Sequence, residues 1–209
     1  GSDVRAAEQL KAKFSRFEEI VGSKDRIETI AADIVAHFDE RKLAMGGGKG
    51  MIVAISRQVA VALYDEIARL RPAWVGTDPT DDSDGMMKVV ITGNNADPQA
   101  MQSHIRTKSR LEELADRFKN PQSGFDLVIV RDMWLTGFDA PSLHTLYIDK
   151  PMRGHGLMQA IARVNRVFGS KPGGLIVDYL GIGAELRAAL AQYSARDQEQ
   201  VSLNMDEAV

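Results

Sequence analysis

From residue 51 onward the chain alternates short apolar runs with amphipathic stretches, and that alternation constrains the fold more than any other feature. The runs are 51–55, 88–92, 126–130, 143–148 and 174–178. Each is nearly continuous, as a strand covered on both faces requires. Between them, Ala60, Leu63, Tyr64 and Ile67 recur at helical spacing over 57–70, and Leu111, Leu114, Ala115 and Phe118 over 107–119. Two further helices are expected at 155–166 and at 182–193, the second through Ile182, Leu186, Leu190 and Tyr193. Strands alternating with helices at this pitch imply right-handed crossovers and a parallel α/β sheet with helices on both faces. In such a sheet the chemistry sits in loops at the carboxyl ends of the strands.

Two helices precede the sheet. Residues 3–20 read as an irregular helix whose apolar face has no local partner. Ser23 is placed to cap the next one, with Asp25 in its first turn and Ile27, Ile30, Ala31, Ile34, Val35 and Phe38 as its stripe. Gly46-Gly47-Gly48 ends it. Gly1-Ser2 reads as the remnant of a cleaved tag, which implies a piece of a longer chain. The expected organisation is N-terminal helices over 3–45, one domain over 46–193, and a polar tail over 194–209 that frays or opens another domain.

Composition removes several classes of function. The 209 residues carry 26 basic and 29 acidic side chains, a net charge of −3, so any nucleic-acid contact must come from a local patch. There is no cysteine, which excludes disulfides, thiolate metal sites and thiol nucleophiles. No apolar run approaches the roughly 18 residues of a membrane span, and a cytoplasmic location is the expectation. His37, His104, His144 and His155 show no metal-ligand spacing. Asp78, Asp81, Asp82 and Asp84 crowd one linker but match no calcium loop, and an exposed surface loop is expected there.

Two glycine-rich stretches imitate phosphate sites. In Gly46-Gly-Gly-Lys-Gly50 the required earlier glycine is Leu43, and Gly50 stands where magnesium needs a hydroxyl. The stretch also precedes a strand instead of following one. Gly181-Ile-Gly183 has the strand-to-helix setting of a dinucleotide turn, but Leu186 occupies its third position, and a simple helix entry is expected.

Two features point to chemistry. In Leu135-Thr-Gly-Phe-Asp-Ala-Pro141, Gly137 permits an unusual backbone angle and Pro141 sets the exit of the loop. Thr136 and Asp139 then present a hydroxyl and a carboxylate, although Asp139 could equally cap backbone amides. In Gln159-Ala-Ile-Ala-Arg163-Val-Asn-Arg166, Gln159, Arg163 and Arg166 share one helix side at about 100° per residue. Leu157, Ile161, Val164 and Phe168 form the packed side. Lys150, Arg153, Arg163, Arg166 and Lys171 fall between 150 and 171 with no carboxylate among them. Guanidinium forks on a rigid helix suit a polyphosphate, while a solvated basic face is the plain alternative.

With these residues assembled, the chain resembles the second RecA-like motor domain of superfamily 2 helicases. More closely, it resembles that domain in the restriction (motor) subunit of type I restriction–modification enzymes. The stretches 51–67, 127–151 and 156–182 carry the match, as motifs IV, V and VI, within a resemblance covering about 24–193. The resemblance implies a RecA-like, P-loop NTPase-type helicase C-terminal domain, half of an ATP-dependent DNA translocase and endonuclease. It implies Arg166 as the arginine finger, Arg163 as its partner near the γ-phosphate and Gln159 as the first polar position of motif VI. It implies Asp139 as the motif V carboxylate linking nucleotide to DNA, Thr136 as a phosphodiester contact, and Ser56 and Arg57 at a motif IV position with backbone contacts to DNA. ATP with Mg²⁺ would be the cofactor, the magnesium being held by the first motor half. The implied partners are double-stranded DNA, the first RecA-like and nuclease domains of the same parent chain, and methyltransferase and specificity subunits. Another superfamily 2 helicase or remodeller is the alternative within this class. A stand-alone α/β nucleotide-binding or interaction module is the alternative outside it.

Overall fold

The alternation of apolar side chains between two faces of each strand organises the structure. The computed structural model describes residues 2–165, 173–181, 183–184 and 204–207, of which 2 and 204–207 are described by backbone alone. Helices α1 (Ser2–Val21) and α2 (Lys24–Met45) lead into β1 (Lys49–Ala54), followed by α3 (Arg57–Leu70) and β2 (Met87–Val90). The short α4 (Gln99–Gln102), α5 (Lys108–Lys119) and β3 (Leu127–Val130) come next. Then follow β4 (Leu143–Asp149), α6 (Gly154–Val164), β5 (Leu175–Asp178) and β6 (Asn204–Glu207). The strands form one parallel sheet in the order β2-β3-β1-β4-β5-β6.

Successive strand residues point to opposite faces. Ile52, Ala54, Val89, Ile129 and Tyr147 join the core beneath α2 and α3. Met51, Val53, Val90, Val128, Leu146 and Ile148 join a second core beneath α5 and α6. All five expected strands form, because covering both faces turns alternation into an unbroken apolar run. The helix expected over 182–193 falls mostly outside the described residues, with 183–184 helical. The polar tail, expected either to fray or to open another domain, contributes 204–207, which pair with β5 as a sixth parallel strand. An outer strand is held by main-chain hydrogen bonds, so Asn-Met-Asp-Glu needs no apolar run to occupy it.

The glycine triplet is a helix stop, as expected, and the structure supplies the reasons for its neighbours. Gly46 caps α2 in the left-handed conformation at φ 68°, its amide and the next closing on Leu43 and Lys42 carbonyls. A Cβ at Gly48 would lie 2.3 Å from the His144 ring, and one at Gly50 would lie 2.8 Å from Phe38. Lys49 is fully buried, donating to the Phe125 carbonyl at 2.5 Å and the Ser123 hydroxyl at 3.2 Å. Burial pushes its ammonium down to about 8 against the pull of Asp126. It is a structural lysine turned into the sheet. Ser23, by contrast, stands at the N-cap of α2 without a side-chain cap bond; its carbonyl instead accepts from the Ile27 amide.

The acidic loop is exposed as expected, and its carboxylates are occupied. Asp78 and Asp81 accept from the hydroxyls and then the amides of Thr80 and Ser83, and these bonds hold both below the usual carboxylate range. Asp82 takes Arg106 and Arg110, while Arg117 binds the carbonyls of Asp82, Asp84 and Gly85. Among the described residues no group of three or more His, Cys, Asp or Glu could hold a metal ion.

His104 lies behind this loop, buried with its ring edge against Tyr64 at 4.7 Å. Burial, with Arg106 and Lys88 adding repulsion, pushes its imidazole down to about 4. The folded state therefore holds it neutral, and the unfolded chain binds the extra proton between about pH 6.5 and 4. Stability from this residue is full above that window and lost as pH falls through it, by about 3 kcal/mol. Denaturant unfolding of wild type and His104→Gln at pH 7 and pH 4 measures the difference. Parallel losses in the two proteins would show that His104 titrates as in water.

Candidate functional site

The β3–β4 connection stands on aromatic rings. Trp134 and Phe138 stack at 4.6 Å with an interplanar angle of 4°, and Phe118 packs against both. Trp134, Leu135, Phe138 and Ala140 are buried, which leaves Thr136, Gly137 and Asp139 exposed between them. Gly137 takes the left-handed conformation at φ 67° that the sequence suggested. Trp134 takes it too, a strained choice for a bulky residue that the stacking holds in place.

Helix α6 presents the second feature. Leu157, Ala160, Ile161 and Val164 are buried on the sheet, as the spacing predicts. Gln159 and Arg163 are half-buried on the adjoining side. The Gln159 amide nitrogen meets His155 Nε2 at 2.6 Å, one turn earlier. Gln159 Oε1 and Arg163 Nε are buried and have no hydrogen-bond partner among the described residues. Arg166, Phe168 and Lys171 lie outside the described residues.

The third feature, at the end of β1, is more committed than the sequence suggested. Ser56 caps α3 by accepting from the Val59 amide at 3.1 Å. Arg57 forms a two-pronged pair with Asp97 at 2.9 and 2.8 Å and also binds the Thr92 carbonyl. Both side chains thus have local structural partners.

A set of charges not singled out from the sequence joins these strand ends. Arg131 Nε donates to the Ile55 carbonyl, and its NH1 to Asp132 at 2.9 Å. Lys150 donates to the other Asp132 oxygen at 2.6 Å and to the Arg131 carbonyl at 3.1 Å. Desolvation works against the Asp132 carboxylate, but Lys150 and Arg131 outweigh it and hold the group below the usual carboxylate range. The available signal was the acid-free run from 150 onward, which included Lys150 but not its partner across the sheet. A pocket of about 520 Å³ opens beside this set, lined by Thr136, Lys150, Arg153 and the first turn of α6. Neither Gln159 nor Arg163 lines it.

The fold is one that known proteins share. The family model of type I restriction enzyme subunit R domain 3 matches residues 77–181. The chain belongs to that family. It is 47% identical to the HindI endonuclease subunit of a type I restriction enzyme in Haemophilus influenzae, over 98% of this chain and 20% of the relative. It is 46% identical to a protein described as the MjaIXP endonuclease subunit in Methanocaldococcus jannaschii, over 96% of this chain and 18% of that one. The chain thus spans about a fifth of the length of these R-subunit relatives. A solved fragment described as an HsdR subunit from Vibrio vulnificus YJ016 superimposes with a TM-score of 0.59 at 15% identity, covering 92% of this chain and 33% of that one. The RecA-like α/β class expected from the motifs is the fold of this R-subunit domain. No helix among the described residues is long and apolar enough to cross a membrane.

Proposed function

We propose that this chain is the second half of an ATP-driven DNA motor within a type I restriction endonuclease subunit. The observation that carries the reading is the convergence of three segments at the carboxyl edge of one parallel sheet: the Thr136–Asp139 loop, helix α6 with Gln159 and Arg163, and the Ser56–Arg57 turn. In phosphoryl transfer most of the work is positioning and charge stabilisation, so arginines delivered by a second domain can switch the reaction on. Arg163 and Arg166 take that role at the γ-phosphate, with Gln159 beside them and Asp139 connecting the nucleotide side to the DNA side. Thr136 and the backbone at Ser56–Arg57 hold phosphodiesters of double-stranded DNA. Such contacts are largely indifferent to sequence, as a translocase needs.

The remaining parts belong to other segments or subunits in this reading. Magnesium and the β- and γ-phosphates are held by the first motor half, the nuclease is a further domain of the parent chain, and methyltransferase and specificity subunits supply DNA recognition. The carboxylates of the 78–84 loop are engaged by arginines, hydroxyls and backbone amides. Cleft closure brings the finger arginine to the nucleotide, and opening after hydrolysis lets the two halves step along DNA.

The 209-residue chain alone is therefore expected to turn over no ATP, whereas the intact subunit does so with magnesium. A phosphate-release assay on both decides it. Magnesium-dependent turnover by the chain alone that survives Arg166→Ala would overturn the half-motor assignment.

A further inference from the structure

The pocket at the ends of β3 and β4 has a charge arrangement that the motor reading does not use. Lys150 carries three ammonium protons. One is directed to the Arg131 carbonyl and one to Asp132, which leaves the third for the pocket that Lys150 lines. Arg153 lines the same space, exposed at the N-cap of α6 and making no side-chain cap bond. Thr136 contributes its hydroxyl from the facing loop. Asp132 is the single carboxylate on the lining, and more than half of its side chain is exposed. A pair between partly exposed groups contributes little and exchanges readily for another anion. Because Lys150 stays fixed by the Arg131 carbonyl, exchanging Asp132 for a ligand oxygen would not release the lysine from its place.

We infer that this pocket seats one phosphate of a nucleic-acid backbone between Thr136, Lys150 and Arg153, with Asp132 as the resident counter-ion that the phosphate displaces. The inference rests on the motor reading and deepens it by assigning Lys150, Arg153 and Asp132 to the DNA track. A nucleotide phosphate shares the same chemistry. The backbone is favoured because the lining contains Thr136 and neither Gln159 nor Arg163. The exchange gives Asp132 a role opposite to that of a structural acid: it competes with the ligand, so its removal strengthens binding. The released carboxylate keeps Arg131 as a partner, and Arg131 is itself anchored by donating to the Ile55 carbonyl.

The test is a titration of the chain against a mixed-sequence 20-base-pair duplex by fluorescence anisotropy across a salt series, with melting temperatures for every variant. Lys150→Met and Arg153→Ala should each weaken binding and reduce the salt slope by about 1. Asp132→Asn should strengthen binding by roughly threefold at low salt. Should Lys150→Met lower the melting temperature, the exposed Arg153→Ala carries the slope measurement on its own. Unchanged slopes in folded variants, or weaker binding by Asp132→Asn, would overturn the inference. So would ATP with magnesium displacing the duplex from wild type but not from Lys150→Met, which would assign the pocket to the nucleotide. Failure of the wild-type chain to bind duplex at low salt would instead remove the DNA-track reading itself.

Discussion

In the intact subunit, Arg166→Ala is expected to lower ATP turnover by about 10³-fold or more, in line with other arginines that stabilise a transferring phosphoryl group. Arg166→Lys should recover little of it, since an ammonium cannot reproduce a planar two-pronged contact. Position 166 itself lies outside the described residues, and the expectation rests on its spacing in the sequence from Gln159 and Arg163. Leu157, Ile161 and Val164 take the buried side of α6, while Gln159 and Arg163 adjoin it. Helix α6 ends at Val164, and it is the sequence spacing of about 100° per residue that assigns Arg166 to the side of Gln159 and Arg163. The melting temperature and nucleotide-free DNA affinity should therefore change little. Hydrolysis, melting and DNA binding measured on one preparation separate the possibilities. Normal hydrolysis with lost DNA binding would move Arg166 to the DNA track, and a collapsed melting temperature would make it structural.

Arg26→Ala should be the most damaging single change to stability outside the two apolar cores. Asp149 is fully buried at the carboxyl end of β4, and Arg26 binds both of its oxygens, at 2.5 and 3.2 Å. The same guanidinium donates to the Val21 carbonyl at the end of α1 and to the Tyr179 carbonyl beyond β5. Truncation leaves a buried carboxylate without its cation, at a cost of about 3–5 kcal/mol. For a chain of this size that corresponds to a loss on the order of 10 °C in melting temperature. Burial already pushes the Asp149 carboxyl up, with Arg26 opposing the shift. Without Arg26 the acid takes a proton more readily in the folded state, so the deficit should shrink as pH falls. Asp149→Asn in the Arg26→Ala background should recover much of the loss. A deficit below about 1 kcal/mol at neutral pH would show that water reaches the carboxylate and replaces the arginine.

Much of this architecture was legible because it depends on period and spacing. The five strands could be read where both faces are covered, and α6 where Leu157, Ile161 and Val164 repeat each turn. The Leu135–Pro141 loop was legible too, since a glycine at 137 announces a left-handed turn. What escaped were pairings across the sheet. Nothing local to Arg26 reports Asp149, which is 123 residues away, and nothing local to Lys150 reports Asp132. Nor does sequence reveal that Arg57 is engaged by Asp97, because the two meet only once β1 and β2 lie in one sheet with α3 between them in the chain. Trp134 at positive φ was equally hidden: propensity argues against it, and only the stack on Phe138 explains it. Local rules thus identify the elements and the motif residues, while the charges that fix their mutual positions follow from topology.

The rings beneath the Thr136 loop have a consequence for how the proposed motor would respond to its surroundings. Screening by dissolved ions weakens contacts between exposed charges and leaves buried ring-on-ring packing untouched. The loop stands on the buried rings of Trp134, Phe138 and Phe118, with Lys49 over Phe118 and Lys119 over Phe138 as added cation contacts, so packing that ionic strength does not screen carries most of its shape. Rising salt would then loosen the grip on DNA while the gripping surface keeps its form. If the proposed motor reading holds, traction and geometry would be governed by different forces in this domain, and one could vary over a wide range of cellular conditions without disturbing the other.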